Sequence, residues 1–303
     1  MFTQLFGHFL LNKNIITAEQ LKAALEEKNN IRVKIGAMAI DVGYMTAEQV
    51  DAVHEEQKRV DKRIGDIAID MGYLTKTQVE ELLSKQKTAN IVLGQALIDL
   101  GYLTNKQFED ALAEYKSAAS FNGEEPNDEA LAKDLISIFD LENDADKDFY
   151  VDYIMLLTKN AIRFIGDDFV LAGSVKNTDL PCSHLCSQEL SGADNKFYTA
   201  IAGDDKAFIS LASRYAIDSG EEDESIEEFG LFEQVDEFVE ACVGEFLNLQ
   251  NGLFAVNMSN KKNLELDLTP QIAEADKRVL LDNGLAVTLE YTFGKVTFII
   301  CRK

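Results

Sequence analysis

Four glycines, Gly7, Gly36, Gly65 and Gly94, stand 29 residues apart near the start of the chain. Thr17, Thr46, Thr75 and Thr104 keep the same step, as do Gln20, Gln49, Gln78 and Gln107. A period held four times without slippage marks a repeat architecture, in which each unit is one small supersecondary element. The phrase IGDIAIDM reads as a short helix with an apolar face. Gly43, Gly72 and Gly101 follow it where the chain needs a left-handed residue, and Asn14 takes that place in the first copy. An apolar or aromatic residue comes next (Ile15, Tyr44, Tyr73, Tyr102), then T-x-x-Q, which reads as a capping box opening a second helix. Each unit is therefore expected to be a helix pair that cannot bury its apolar face alone, so the four share one core.

At the starts of the copies stand Leu5, Lys34, Arg63 and Val92, and at their ends Lys28, Gln57, Gln86 and Tyr115. Only the two middle copies join a basic residue to a terminal Gln. Such pairs suit phosphate and guanine edges. The phrase [R/K]-[I/L]-G-x-x-x-[I/L]-x-x-G…Q over residues 1–118 resembles the MshEN domain, the N-terminal module of type II secretion and pilus ATPases, which is found in bacteria. In that family two consecutive motifs form a site for cyclic di-GMP. The resemblance implies Lys34, Ile35, Gly36 and Gln57 as one half of a ligand site and Arg63, Ile64, Gly65 and Gln86 as the other. Three features depart from the family. The outer copies lack the basic residue. Lys34 replaces the usual Arg and lacks its planar fork, and no G-x-x-x-x-G-K-[S/T] phosphate loop follows.

Length and charge divide the 303 residues further. Residues 1–120 carry 14 Lys and Arg against 17 Asp and Glu, whereas 121–303 carry 15 against 36. The acidic half is expected to repel nucleic acid and anionic lipid. No apolar run has the length of a bilayer span. The start MFTQLFGHFLLNKN lacks a basic region and a small-residue cleavage site, so a cytoplasmic protein is expected. Residues 119–139 are polar and acidic and read as a linker between a helical domain, 1–118, and an α+β domain, 140–303. In the latter the pattern predicts a helix over 148–165 stopped by Gly166, strands at FVLAG and 196–202, and a helix near 205–216. GEEDES (220–225) reads as a solvated acidic loop. Beyond it the pattern predicts a long helix over 231–251, a strand at LELDL, and a closing hairpin turning at Phe293-Gly294. Cys182, His184 and Cys186 in PCSHLC form no second ligand pair, so ordinary thiols and no metal site are expected.

The long helix spells G-E-F-L-N-L-Q-N-G over residues 244–252. Helical spacing sets Glu245 and Asn248 apart from the apolar stripe of Phe232, Val235, Val239, Cys242, Val243 and Phe246, with Ala241, Gly244 and Gly252 around them. Small neighbours would let another surface come close, and Gly244 sacrifices about 1 kcal/mol of helix propensity. G-E-x-x-N-x-x-x-G, with Pro270 standing 22 residues after Asn248, resembles the CheX/CheC/FliY family of CheY-type response-regulator phosphatases. Ala241 departs from the Asp or Ser common at that place in CheC-like members. The resemblance implies an α+β fold like that of CheX and a phosphorylated CheY-type regulator as partner. It assigns Asn248 to positioning water on the aspartyl-phosphate and Glu245 to a regulator lysine. Mg²⁺ would be supplied by the regulator, and a homodimer would form through the sheet. Two functions are consistent with these readings. One is a response-regulator phosphatase, or a module that only binds the regulator, tuned by cyclic di-GMP. The other is a non-enzymatic signalling adaptor whose domains both bind proteins.

Overall fold

A computed structural model describes residues 2–27, 31–84, 89–118, 128–176, 179–192, 195–218, 232–280 and 284–303. The chain forms two compact units, Phe2–Pro126 and Asn127–Lys303. The first is helical, with α1 (Phe2–Asn12), α2 (Ala18–Glu27), α3 (Ile35–Asp41), α4 (Ala47–Gln57), α5 (Ile64–Asp70), α6 (Lys76–Ser84), α7 (Ala89–Asp99) and α8 (Asn105–Ala118).

Local chemistry sets each turn between paired helices. Gly43, Gly72 and Gly101 adopt φ of +74°, +74° and +73°, and Asn14 adopts +53°. The left-handed residue lets two N–H groups turn back onto the end of the first helix. Gly43 donates to Ile40 O and Tyr44 to Ala39 O, and the same two bonds form at Asn14/Ile15, Gly72/Tyr73 and Gly101/Tyr102. Each second helix then opens on a Thr whose N–H donates to the Gln side chain at 2.8–2.9 Å, while the Gln N–H donates to the Thr hydroxyl.

The motif glycines mark where paired helices cross. A Cβ on Gly36 would lie 2.7 Å from Val50 Cγ1, one on Gly65 would lie 3.1 Å from Val79 Cγ1, and one on Gly7 would lie 3.1 Å from Leu21 Cδ2. At Gly94 the Phe108 ring occupies that space. The pairs do not stack in a line: α1 and α2 pack on α7, while α3 touches α6, α7 and α8, and α4 touches α5 and α8. Phe6, Phe108 and Tyr115 form an aromatic centre, with Phe6 5.2 Å from Tyr115 and 6.5 Å from Phe108.

The second unit is α+β. It begins with α9 (Asp128–Ile138), which lies within the segment expected as a linker and packs on α10 (Lys147–Phe164). Strands β1 (Phe169–Lys176), β2 (Asp179–Ser191) and β3 (Lys196–Gly203) lead to α11 (Asp205–Asp218) and α12 (Glu237–Lys262). Strands β4 (Asp267–Leu268), β5 (Ile272–Leu280), β6 (Gly284–Tyr291) and β7 (Gly294–Arg302) complete an antiparallel sheet of order β1-β6-β7-β3-β2-β4, with β5 also on β2. α12 packs on α10, α11 and strands β2 to β5. Its aromatic residues meet the sheet edge-on, Phe254 against Phe197 at 5.9 Å and Phe246 against Phe298 at 6.2 Å.

Several boundaries differ from the sequence reading. The long helix starts at Glu237, because Asp236 accepts from the N–H groups of Phe238 and Val239 and caps it, so Phe232 and Val235 precede it. It passes through Gly252 and ends only at Asn263, which is left-handed at φ +49°. LELDL contributes just Asp267–Leu268 to the sheet. The closing turn is Thr292-Phe293, with Tyr291 opposite Gly294. Strands β2 and β5 were not anticipated. The acidic loop 220–225 lies outside the described residues. Among the described residues, no helix is long and apolar enough to cross a membrane.

Gly36→Ala is expected to destabilise the first unit by about 1–3 kcal/mol through overpacking against Val50. Hydrogen exchange on the full chain should show faster amide exchange in α3 and α4, with α12 unchanged. Wild-type protection in α3 and α4 would show that the crossing has room.

Candidate functional site

α12 carries two faces with different duties. Its inner face buries Val239, Val243, Phe246, Leu247, Phe254 and Met258. On the outer face Phe238 (56%), Leu253 (43%) and Val256 (58%) are exposed apolar residues. At about 100° per residue, positions 238, 245, 249 and 256 fall within about 20° of one line along the helix. Glu245 is exposed on that line, and Asn248, one turn on, is half-buried beside it. The helix thus presents a carboxylate inside an apolar stripe with a carboxamide at its edge.

The three small residues expected around this pair behave differently from one another. Ala241 is exposed, and Gly252 has open space where a side chain would be. Gly244 is buried and faces the protein. A Cβ there would meet Cys186 Sγ and Gln271 Cβ at 3.6 Å, an ordinary contact. Only Ala241 and Gly252 therefore leave room for an outside surface.

Beneath Asn248 runs a chain of hydrogen bonds between buried amides. Gln188 of β2 donates from Nε2 to Asn248 Oδ1 at 2.9 Å and to the Thr269 carbonyl at 2.8 Å. Asn251 donates from Nδ2 to Gln188 Oε1 at 2.7 Å and to Thr199 Oγ1 at 2.8 Å. Thr199 in turn donates to the Gln188 carbonyl at 3.0 Å. A second branch joins Asn160 Nδ2 to Gln250 Oε1 at 2.7 Å, and Gln250 Nε2 to the Tyr153 carbonyl. Thr269 is held by Glu189, donating its N–H to the Glu189 carbonyl at 3.0 Å and accepting from the Glu189 N–H at 3.1 Å. Pro270 follows it, and a residue before proline is confined to extended backbone.

Sequence reasoning missed Gln188, Thr199, Asn251 and Thr269. A signal existed for Asn251: with Gln250 it interrupts the apolar inner stripe, and two amides at core positions need partners. Nothing local pointed to Gln188, whose strand pairs with residues far along the chain.

Of PCSHLC, His184 Nε2 lies 3.0 Å from Asp205 Oδ1 with its ring beside Phe208. Burial, with a smaller contribution from Glu240, pushes the Cys186 thiol up to about 12. Among the described residues no His, Cys, Asp and Glu gather as a metal site.

In the helical unit, a groove of about 880 Å³ is lined by Lys34, Asp51, His54, Glu55, Gln57, Lys58 and Ile64. Three of the eight residues implied by the MshEN resemblance, Lys34, Gln57 and Ile64, meet there. Gly36 and Gly65 are buried at helix crossings, with Ile35 Cδ1 3.7 Å from the place of a Gly65 Cβ. Arg63 is exposed just ahead of α5, and Gln86 lies outside the described residues. Lys34 pairs with Asp99 at 2.6 Å and Lys58 with Glu55 at 2.6 Å, and Gln57 donates to the Lys62 carbonyl. Partial burial, then Lys34, holds the His54 pKa below its usual value. The lining balances two lysines against two carboxylates.

No protein-family model and no curated protein matches the chain. Similar folds among solved structures cover about half of it, the C-terminal part. A CheC-like superfamily protein from Shewanella sp. PV-4 is 15% identical, with 52% of this chain and 97% of that one covered and a TM-score of 0.43. CheX from Vibrio vulnificus is 12% identical, with 52% and 99% covered and a TM-score of 0.42. A chain of a CheX–CheY–BeF3–Mg²⁺ complex from Borrelia burgdorferi is 14% identical, with 51% and 97% covered and a TM-score of 0.38.

Gly244→Ala and Gly252→Ala should each stabilise the second unit by about 0.5–1 kcal/mol, because both sites have space and Ala favours helix. Equilibrium urea unfolding reads this. A loss at position 244 would mean that β2 or the Gln271 loop packs too closely for a methyl group.

Proposed function

We propose that the second unit docks a phosphorylated CheY-type response regulator on the outer face of α12 and speeds hydrolysis of its aspartyl-phosphate. The observation that carries this reading is the half-buried Asn248 carboxamide, fixed from below and standing at the edge of an exposed apolar stripe. An acyl phosphate is already activated, so a catalyst has mainly to hold water in line with the bond that breaks. Water oxygen bonds to phosphorus, the bond to the aspartyl oxygen breaks, and the electron pair returns the aspartate to a carboxylate. The water's proton leaves with phosphate or to solvent. A carboxamide accepts from and donates to that water without changing its own protonation. Charge on the phosphoryl group is met by the Mg²⁺ that the regulator brings.

Docking has a plain division of labour. Phe238, Leu253 and Val256 supply apolar area, Ala241 and Gly252 allow close approach, and Glu245 offers a carboxylate to a regulator lysine. An ion pair inside an apolar contact is less screened than one in open water. The same stripe supports a second reading, a module that binds the regulator without hydrolysis.

We infer for the first unit that its four helix pairs are copies of one element, and that cyclic di-GMP occupies the groove at Lys34, Gln57 and Ile64, flanked by Arg63. The convergence of these residues from two successive copies supports this. Lys34 is paired with Asp99, so phosphate has to compete with that carboxylate for it.

Phosphate release from a phosphorylated CheY-type regulator should be faster with wild-type protein and fall to the regulator's own rate with Asn248→Ala, with circular dichroism unchanged. Full activity in that variant refutes the role of Asn248. Binding without acceleration by wild type, across the host's regulators, selects the second reading. Separately, calorimetry with cyclic di-GMP should show binding weakened about tenfold or more by Arg63→Ala or Lys34→Ala, the loss of one charge-assisted contact. Equal affinities would remove the nucleotide from the groove.

A further inference from the structure

We propose that Gln188 is a positioning residue that sets which end of the Asn248 carboxamide faces inward; this rests on the phosphatase reading of Asn248. An isolated Asn can turn its amide over at little cost, exchanging oxygen for nitrogen. Here each exchange is blocked in sequence. The Gln188 main-chain carbonyl can only accept, so the Thr199 hydroxyl spends its one proton there. Thr199 Oγ1 must then accept from Asn251, which fixes the Asn251 Nδ2 toward it. The second Nδ2 proton meets Gln188 at 2.7 Å, so Gln188 presents its oxygen to Asn251. Its Nε2 is thereby turned to the Thr269 carbonyl, a second group that can only accept, and to Asn248. Asn248 has to answer with Oδ1.

The direction is thus anchored at two main-chain carbonyls, and no member can flip without leaving two carbonyl or amide groups facing like groups. Thr199 and Asn251 are 0% exposed and Gln188 2%, so water is not at hand to make good the loss. Both N–H groups of Asn248 and one oxygen lone pair are left for a water molecule. Donation into Oδ1 also polarises the amide and strengthens the N–H groups as donors. The class of side chain required at 188 follows: it must accept at one end and donate twice at the other, which only an uncharged carboxamide of this length does.

The test uses Gln188→Glu and Gln188→Met in the full chain. The Glu variant still accepts from Asn251, but, buried and facing two acceptors, it takes up a proton and can donate to only one of Asn248 and Thr269. The Met variant keeps the length and removes both functions. For the variant that retains the wild-type circular dichroism, kcat for phosphate release should fall about 10- to 100-fold, while the affinity for the phosphorylated regulator stays within about twofold. The Asn248 side-chain ¹⁵NH₂ group should be rigid by NMR relaxation in wild type and mobile in Gln188→Met, a readout that needs no activity. An unchanged kcat in Gln188→Met while Asn248→Ala is inactive overturns the positioning role alone. A mobile Asn248 amide in wild type overturns it as well. Equal loss of kcat and of regulator affinity assigns Gln188 to the docking surface instead. Full activity of Asn248→Ala brings down the phosphatase reading itself.

Discussion

A long helix lying on a sheet has to keep its inner side dry while its outer side meets whatever comes from solution. In this protein a hydrogen bond from Gln188 of β2 to Asn248 of α12 links the two sides. Without polar groups below it, Asn248 would be an ordinary surface amide. With them, it is an extension of the sheet. The same side chain binds the Thr269 carbonyl, so it touches the loop after the helix, the strand under it and the helix itself, adding to the Glu189–Thr269 hydrogen bonds that hold that loop. The apolar contacts of Phe246 and Phe254 hold the helix down but tolerate small sliding. The directional amide bonds do not, and they convert a packed helix into a defined one.

The helical unit solves a different problem with equally few parts. A pair of short helices has too little apolar surface to be stable alone. Its turn is therefore specified locally, by a left-handed residue, two back-turned N–H groups and a reciprocal Thr–Gln cap. The glycines that define the period stand at helix crossings, where any side chain would push Val50, Val79 or Phe108 away. The motif residues thus divide by cause. Gly36 and Gly65 are explained by packing, whereas Lys34 and Gln57 line a groove and are not needed for the crossing. Residues that pack a crossing and residues that line a groove are interleaved in one phrase, and only their positions separate them.

Why some of this was legible in sequence and some was not follows from the range of the interactions involved. The turns and caps of the helical unit depend on neighbours within five residues, so T-x-x-Q and the Gly-aromatic pairs announce them. The late start of α12 comes from Asp236, a local cap that was overlooked in favour of the hydrophobic pattern. Strand β5 has the charged sequence AEADKR because it lies exposed along β2, where an apolar strand would invite aggregation. Strand β2 carries Pro181 and alternating thiols rather than β-branched residues, so it lacked the usual composition. Glu245 and Asn248 were visible as polar residues of a motif. Gln188 was invisible, because its role depends on a contact 60 residues away in sequence.

Buried amides are a poor way to stabilise a core. Replacing Gln188, Asn251 and Thr199 together with apolar groups of the same shape would remove the desolvation cost of each and could stabilise the fold, since a hydrogen bond contributes only about 1 kcal/mol net. Their presence is better explained by direction than by strength. Sequences tend to violate the rules of core composition where function requires it, and here the violations cluster: two amides on the inner stripe of α12, a Gln in the strand below, and two glycines in the helix with room for larger residues. All five lie within one stretch of surface and the layer directly beneath it. A helix selected for stability alone would have filled both glycines with alanine and the inner stripe with leucine. Under the proposed reading, Gly252 keeps the outer face open and the buried amides orient Asn248, whereas Gly244 lies against Cys186 and Gln271 and has no part in that approach.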